Sequence, residues 1–394
     1  MMKKSILLSF FIAFCIVLSG CYQANVSDNR QFYQSDSAPT IKATSVINDT
    51  PSPTKSSIDN TPSANPTKTL LEKRTPAPKP TIIATPAPKP TGVNRDQDNT
   101  DSSIMLRFIV MTDSRGSDKG INSQVVKKIM GRIKSLSPQP EFAVMPGDLV
   151  DGAKTYAQLK AQLQYFKNTV TQFYPADFFY PGFGNHEARA GTESGKAFSE
   201  VFSDFNASVL EGYNRTVYYF DRGSARFFML NSNHPGENHM VSESQLGWLK
   251  SNIDNSKKHN FFFIHEPPFP TGSGVGNSLD RIPLSRNKLW KVVDSSKSPV
   301  FFCGHEHYYT RRHIDKSFNS VVDDIKFEFE KTVYQVTVGS FGAPLYNHYT
   351  SKKNVDVPPI SQYHFSVVDI TSGGISVNVY NIEGKLIDSF KQGS

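Results

Sequence analysis

The chain from about residue 104 onward predicts an α/β layered fold. Two observations lead to it. Apolar runs of strand length alternate with segments of helical spacing, and the closing portion is a series of short strand-like runs. A third observation concerns position: five of the apolar runs stop at a polar cluster, and open α/β sheets bind ligands beyond the carboxyl ends of their strands.

Residues 105–111 read as the first strand, with Asp113 at its exit. Over 121–136, Val125, Val126, Ile129 and Ile133 recur at helical spacing, and Ser137-Pro138 ends the helix. The second strand is 142–145, followed by a helix over 156–173 and a third strand at 178–180. Runs 216–220 and 226–230 flank Arg222-Gly223-Ser224 as a hairpin. Ser242 with Gln245 three residues on predicts a capping box that opens a helix over 243–253. A strand at 261–264, a helix at 285–293 and a strand at 300–303 follow. Strands are then expected at 333–338, 364–370, 375–380 and 386–390, with Ser372-Gly373-Gly374 as a turn. The polar stretch 308–332 reads as an irregular excursion or active-site rim.

The N-terminal part is of another kind. Lys3-Lys4 precedes an apolar run over 6–18 of signal-peptide length, too short for a comfortable membrane span. The run ends in Leu18-Ser19-Gly20-Cys21, which resembles the lipobox of bacterial lipoproteins. That resemblance implies that residues 1–21 are a lipoprotein signal and that Cys21 is acylated. It also implies an extracytoplasmic protein anchored in the cell membrane; the other reading is an ordinary secretory signal with an incidental cysteine. Residues 22–103 are rich in Ser, Thr, Pro, Asn and Asp, and cannot bury enough apolar surface to offset chain entropy. Thr75-Pro76-Ala77-Pro78-Lys79-Pro80-Thr81 recurs ten residues later, and such a Pro-spaced stretch is stiff; it reads as a tether or as a spacer without further function. As a coil the stretch spans roughly 50 Å. The domain proper is then 104–394.

Of the formal net charge of +7, Lys3 and Lys4 give +2 and the tether +1, leaving +4 dispersed over the domain. With no basic stripe carrying interleaved aromatics, specific nucleic-acid binding is not expected. An anionic small substrate suits the balance equally well. Cys303 is the one cysteine of the domain, inside an apolar run, so no disulfide framework exists there.

The strand-end clusters carry the chemistry. They are Asp113; Gly147-Asp148-Leu149-Val150-Asp151; Gly184-Asn185-His186-Glu187; His265-Glu266-Pro267-Pro268; and Gly304-His305-Glu306-His307. Buried carboxylates are rare unless paired, hydrogen-bonded or bound to metal. Asp, Asn and His suit divalent Mn, Fe, Zn or Ni, and a carboxylate can bridge two ions where one imidazole nitrogen cannot.

In this order the clusters resemble the motifs of the calcineurin-like metallophosphoesterase superfamily, which includes purple acid phosphatases and bacterial phosphodiesterases. The resemblance implies an αββα sandwich of two mixed β-sheets flanked by helices. It also implies hydrolysis of phosphomonoesters or diesters by a hydroxide shared between two divalent ions. Carried across by position, Asp148 bridges the ions, Asn185, His265 and His305 complete one site, and Asp113 and His307 hold the other. His186 becomes the general acid, oriented by Asp151 or Glu187. The departure is Arg115, where the commonest pattern has a ligand histidine; a guanidinium cannot bind a metal. Arg115 instead suits phosphate oxygens or a surface salt bridge, and one ion is left with fewer ligands. Arg189 is a second phosphate contact. His234, His239, His313, His348 and His364 match no motif and read as surface or core residues. A rival reading, which Arg115 favours, is a non-catalytic surface lipoprotein that binds a metal or phospho-ligand on a degenerate scaffold of this kind.

Overall fold

A strand whose every residue is apolar needs cover on both faces, and here two stacked sheets and flanking helices supply it. The computed structural model describes residues 103–298 and 300–393; the targeting segment with Cys21, and the tether up to residue 102, lie outside the described residues. One sheet has six strands, in the order Leu386–Gly393, Gly374–Asn381, His364–Thr371, Ile104–Val110, Phe142–Met145, Phe179–Pro181. Its last three strands are parallel, and His364–Thr371 joins Ile104–Val110 antiparallel. The second sheet has eight strands: Val355–Ile360, Tyr309–Ile314, Val333–Val338, Val300–Cys303, His259–Phe263, Ala225–Met229, Tyr218–Arg222 and Ser208–Val209. The four from Val333–Val338 to Ala225–Met229 are parallel. This is the αββα arrangement of two mixed sheets.

Alternation along the strands of the second sheet divides the core into two clusters, one of which runs from between the sheets through the first sheet to its helices. Phe261, Phe263, Val300 and Phe302 face the cluster between the sheets, while Phe262, Ile264, Phe301 and Cys303 face the helix side. Between the sheets, Phe108 lies 5.3 Å from both Phe142 and Phe261, and Phe142 lies 5.1 Å from Phe227. Rings at this spacing add about 0.5–1.5 kcal/mol per pair beyond area burial. Helices Ser123–Lys134 and Tyr156–Val170 contribute Val126, Ile129, Leu159 and Leu163 to the first cluster. Glu243–Asn252 and Pro283–Ser295 contribute Leu246, Leu249, Leu289 and Trp290 to the second. Half of the capping box at Ser242 forms: its hydroxyl accepts from Gln245 N, but the Gln245 side chain turns to Asn231 and Glu237.

The stretch 308–332 is not an irregular rim. Tyr309–Ile314 is an inner strand, antiparallel to Val333–Val338 on one side and Val355–Ile360 on the other. Its polar look misleads because Arg312 is fully buried and paired with the carbonyls of Phe269, Pro270 and Lys353. Only the part after it, with the hairpin Ser320–Val322 and Ile325–Phe327, is an excursion.

Candidate metal centre

The ligand-bearing turns leave the carboxyl ends of parallel strands in conformations that side chains avoid. Asp113, Asp148 and His305 have φ of 62°, 48° and 69°. Each such residue costs of order 1–3 kcal/mol and persists only where its surroundings fix it. Here the turns are stitched to one another: Ser114 N donates to Asp148 O at 3.0 Å, and Gly304 N to His265 O at 2.9 Å. Two glycines allow the approach. A Cβ on Gly184 would run into Asp148 Oδ1, and one on Gly304 into Asp113 Oδ2.

The carboxylates are aimed by main-chain donors. Asp148 Oδ1 accepts from His186 N at 3.0 Å, and both Asp113 oxygens accept from His305 N at 3.2 Å. Asp113, Asp148 and His307, all buried, place one ligand atom each within 4.8 Å of the others. The second set meets more closely. His265 Nε2 is 3.1 Å from Asn185 Oδ1 and 3.2 Å from Asp148 Oδ1, and His305 Nδ1 is 3.1 Å from Asn185 Oδ1 and 3.3 Å from His265 Nε2. Atoms roughly 2.0–2.2 Å from one cation stand roughly 3.0–3.5 Å apart, so the spacing fits an ion.

The protonation pattern fits as well. His307 Nδ1 donates to Pro344 O at 2.7 Å, which leaves Nε2 free toward Asp113 at 3.5 Å. His305 Nε2 donates to Asn277 O at 2.9 Å, which leaves Nδ1 as the inward lone pair. Such outer partners set a ligand histidine's tautomer and direction. Burial works against the charged forms of Asp148 and His265, yet their contact overrides it: the carboxylate is held well below its usual range and the imidazole is pushed up to about 10. A proton on His265 thus does electrostatically what a cation there would do. Burial and the charge on His265 push His305 down.

His186 is buried beside the centre, its Nε2 3.8 Å from Asp148 Oδ2. Burial is the largest influence on its ring and lowers the pKa, with Arg115 and Arg189 adding to the shift and Asp148 opposing it. Its Nδ1 donates to the main-chain carbonyl of Asp151 at 2.7 Å, while the Asp151 carboxylate is 3.6 Å away and 46% exposed. Orientation by Asp151 therefore runs through its backbone. Orientation by Glu187 does not occur, because that buried carboxylate accepts from the N–H groups of Asp148, Val150 and Gly184 at 2.8–3.1 Å.

Arg115 and Arg189 both approach the Asp151 carboxylate, at 3.6 and 3.8 Å. Arg115 Nη2 donates to Tyr346 Oη at 3.0 Å, and its Nη1 is 3.6 Å from Asp151. Arg189 Nη1 donates to Asp151 O at 2.7 Å, and its Nη2 stands 3.2 Å from His186 Nε2. Sequence reasoning missed Tyr346, whose ring stacks on His307 at 4.1 Å; it follows no strand-end glycine and carries no motif. His239, left without a role by the sequence, has Nδ1 3.0 Å from Glu266, the residue after His265. His364 is a fully buried core residue.

The model of the calcineurin-like phosphoesterase family matches residues 106–309. Among solved structures, the purple acid phosphatase PPD1 from yellow lupin (Lupinus luteus) seeds is 17% identical with a TM-score of 0.57, covering 74% of this chain and 54% of its own. PhoD is 10% identical with a TM-score of 0.55, covering 73% and 72%. GAP50, the anchor in the inner membrane complex of Plasmodium, is 14% identical with a TM-score of 0.52, covering 74% and 89%. At these identities the likeness is one of fold, and this chain spans about half the length of the lupin enzyme. No curated protein matches.

Proposed function

Because the chain belongs to the calcineurin-like phosphoesterase family, we propose that it hydrolyses phosphoesters with two divalent cations bound at the strand ends. Family membership supports metal-dependent phosphoester hydrolysis as the general class. In this reading Asp148 is shared, Asn185, His265 and His305 complete one site, and Asp113 and His307 hold the other. Mn, Fe, Zn and Ni all suit that donor set. Divalent cations supply Lewis acidity toward phosphoryl oxygens and lower the pKa of water.

The remaining work falls to the chain itself. His186, held by the Asp151 carbonyl, gives a proton to the departing ester oxygen, a contribution of roughly 10²–10⁴ in rate. Arg115 and Arg189 bind phosphate oxygens in place of their present partners Tyr346 and Asp151. A small phosphorylated molecule is the substrate. The convergence of Asp148, Asn185, His265 and His305 within 3.1–3.3 Å carries the reading.

Its test is metal analysis of the purified protein together with an aryl phosphate assay under each metal. Asp148→Asn is expected to lose bound metal and turnover together; full activity in that variant refutes the assignment. The rival, a metal- or phospho-ligand-binding protein without turnover, draws support from Arg115. Metal bound at full occupancy with no hydrolysis under any metal would establish it. The place of action proposed is outside the cytoplasmic membrane, held by acyl chains on Cys21, and it rests on the sequence around that cysteine. Palmitate labelling that persists in Cys21→Ala argues against it.

A further inference from the structure

Glu306 lies between the two histidines of the last motif, and phosphoester chemistry gives it no task. It is nevertheless fully buried, and a buried carboxylate is costly unless its oxygens are satisfied. They are. Thr271 N lies 2.9 and 3.1 Å from its two oxygens, Thr271 Oγ1 3.0 Å, Gly272 N 2.7 Å and Gly274 N 3.0 Å. The preceding residues are held from the other side: buried Arg312 donates to the carbonyls of Phe269 and Pro270, both at 2.9 Å. One short strap thus has its carbonyls on a guanidinium and its N–H groups on a carboxylate.

The strap then reaches the metal centre. Val275 N bonds to Gly272 O at 3.1 Å and Asn277 N to Gly274 O at 2.9 Å, two successive turns that carry the position of Gly274 to Asn277. Asn277 O accepts the proton of His305 Nε2 at 2.9 Å. That bond fixes the tautomer in which Nδ1 faces Asn185 and His265.

We infer that Glu306 is a positioning residue: by fixing the 271–277 strap it sets the tautomer and direction of His305, and through it the affinity of the Asp148–Asn185–His265–His305 site. The inference rests on the phosphoesterase reading only in supposing that an ion binds there. Glu306→Gln keeps the shape, but one acceptor oxygen becomes an NH₂ donor. Whichever way the amide turns, that donor meets an N–H of the strap, because both oxygens accept from it.

The test uses the whole protein stripped of metal, with Mn²⁺ as the probe. Calorimetric titration of the wild type is expected to show two sites, and of His307→Ala mainly the four-ligand one. Adding Glu306→Gln to His307→Ala is expected to weaken Mn²⁺ binding by about 10–100-fold. The ring ¹⁵N shifts of His305 in metal-free Glu306→Gln should move from the Nε2–H tautomer to a mixture, a signature that a general loss of stability does not produce. Where Glu306→Gln does not fold, Thr271→Val, which deletes one donor and leaves the charge bonded, should give a loss of about threefold. Two Mn²⁺ sites in the wild type with unchanged affinity and tautomer in the variants overturn the role of Glu306 alone. No binding by the wild type of Mn²⁺, nor of Zn²⁺, Fe²⁺ or Ni²⁺ titrated in its place, overturns the phosphoesterase reading, and this inference with it.

Discussion

Replacing His186 with alanine should separate substrates by their leaving groups. The residue is buried, and its Nδ1–H is committed to Asp151 O at 2.7 Å, so any proton it gives must leave from Nε2. Burial, Arg115 and Arg189 hold its pKa below the ordinary 6.5. The ring is therefore neutral at pH 7, and the donating imidazolium grows as pH falls. An alkoxide leaving group needs the proton and a nitrophenolate hardly does. The loss in kcat/KM should therefore reach 10²–10⁴ on an alkyl phosphate, about 3–5.5 kcal/mol of barrier, and stay under about tenfold on the aryl ester. The wild-type profile on the alkyl ester should decline as pH rises through a pKa below 6.5, and the alanine variant should lack that limb. Arg189→Met removes a cation 3.2 Å from Nε2, which favours the imidazolium and moves the limb to higher pH. Steady-state kinetics on both esters across pH decide it. Equal losses on the two, or a limb that survives in His186→Ala, would refute the proton-donor role.

Two other predictions concern single side chains. Arg115→Met should raise KM for an aryl phosphate by about 10–100-fold, the worth of charge-assisted hydrogen bonds to phosphate, while urea unfolding shifts by under about 1 kcal/mol; an unchanged KM assigns Arg115 to a salt bridge. His364 is buried, its Nδ1 bonds to Gln362 O at 2.8 Å, and burial lowers its pKa to about 4. The unfolded chain binds the proton more readily, so this group's contribution declines as pH falls from 6.5 toward 4, by up to about 3 kcal/mol. Urea unfolding of wild type and His364→Leu at pH 7 and 4.5 should show the steeper acid loss in the wild type, and parallel losses would contradict it.

How much of this was legible in the sequence follows from what local pattern can carry. The strands Phe142–Met145, Val300–Cys303 and Val333–Val338 have the same ends in sequence and structure, because each run stops at Pro146, Gly304 or Gly339, residues that punctuate strands. Their assignment to two sheets was not legible: residues apolar on both faces show no alternation to assign them by. Val355–Ile360 escaped notice because Pro358 and Pro359 argue against a strand, and it survives as the edge of its sheet. Helix Ser194–Val201 was likewise unread, since its apolar residues Ala197, Phe198 and Val201 make too short a pattern. The ligand-bearing turns were legible because a carboxylate, amide or imidazole at the end of an apolar run, beside glycine at Asp148, Asn185 and His305, is a local signal. Their supports were not. Asn277, Pro344 and Asp151 act through main-chain carbonyls, which any residue possesses.

One pattern was present in the sequence all along and took its meaning from the structure. His186, His265 and His305 are each followed by glutamate, and all three glutamates are fully buried. Glu187 holds the Asp148 turn, Glu266 accepts from Asn233 Nδ2 at 2.8 Å beside His239, and Glu306 holds the strap. Each histidine thus faces the centre while the next carboxylate faces outward into donors of the protein. The glutamates are satisfied without an ion. Asp113 and Asp148 differ: each accepts a main-chain N–H, and together with His307 they also converge on one point of the centre, which a cation would fill. The free protein should therefore be stabilised by whatever cation occupies the site, by RT ln(1 + [M]/Kd), about 2.7 kcal/mol at a hundredfold excess over Kd. Chelation should lower the melting temperature of the wild type and leave Asp148→Asn nearly unmoved, because that variant has already lost the shared ligand. A chelator that shifts both proteins equally would mean that the stabilising ion, if one exists, sits elsewhere.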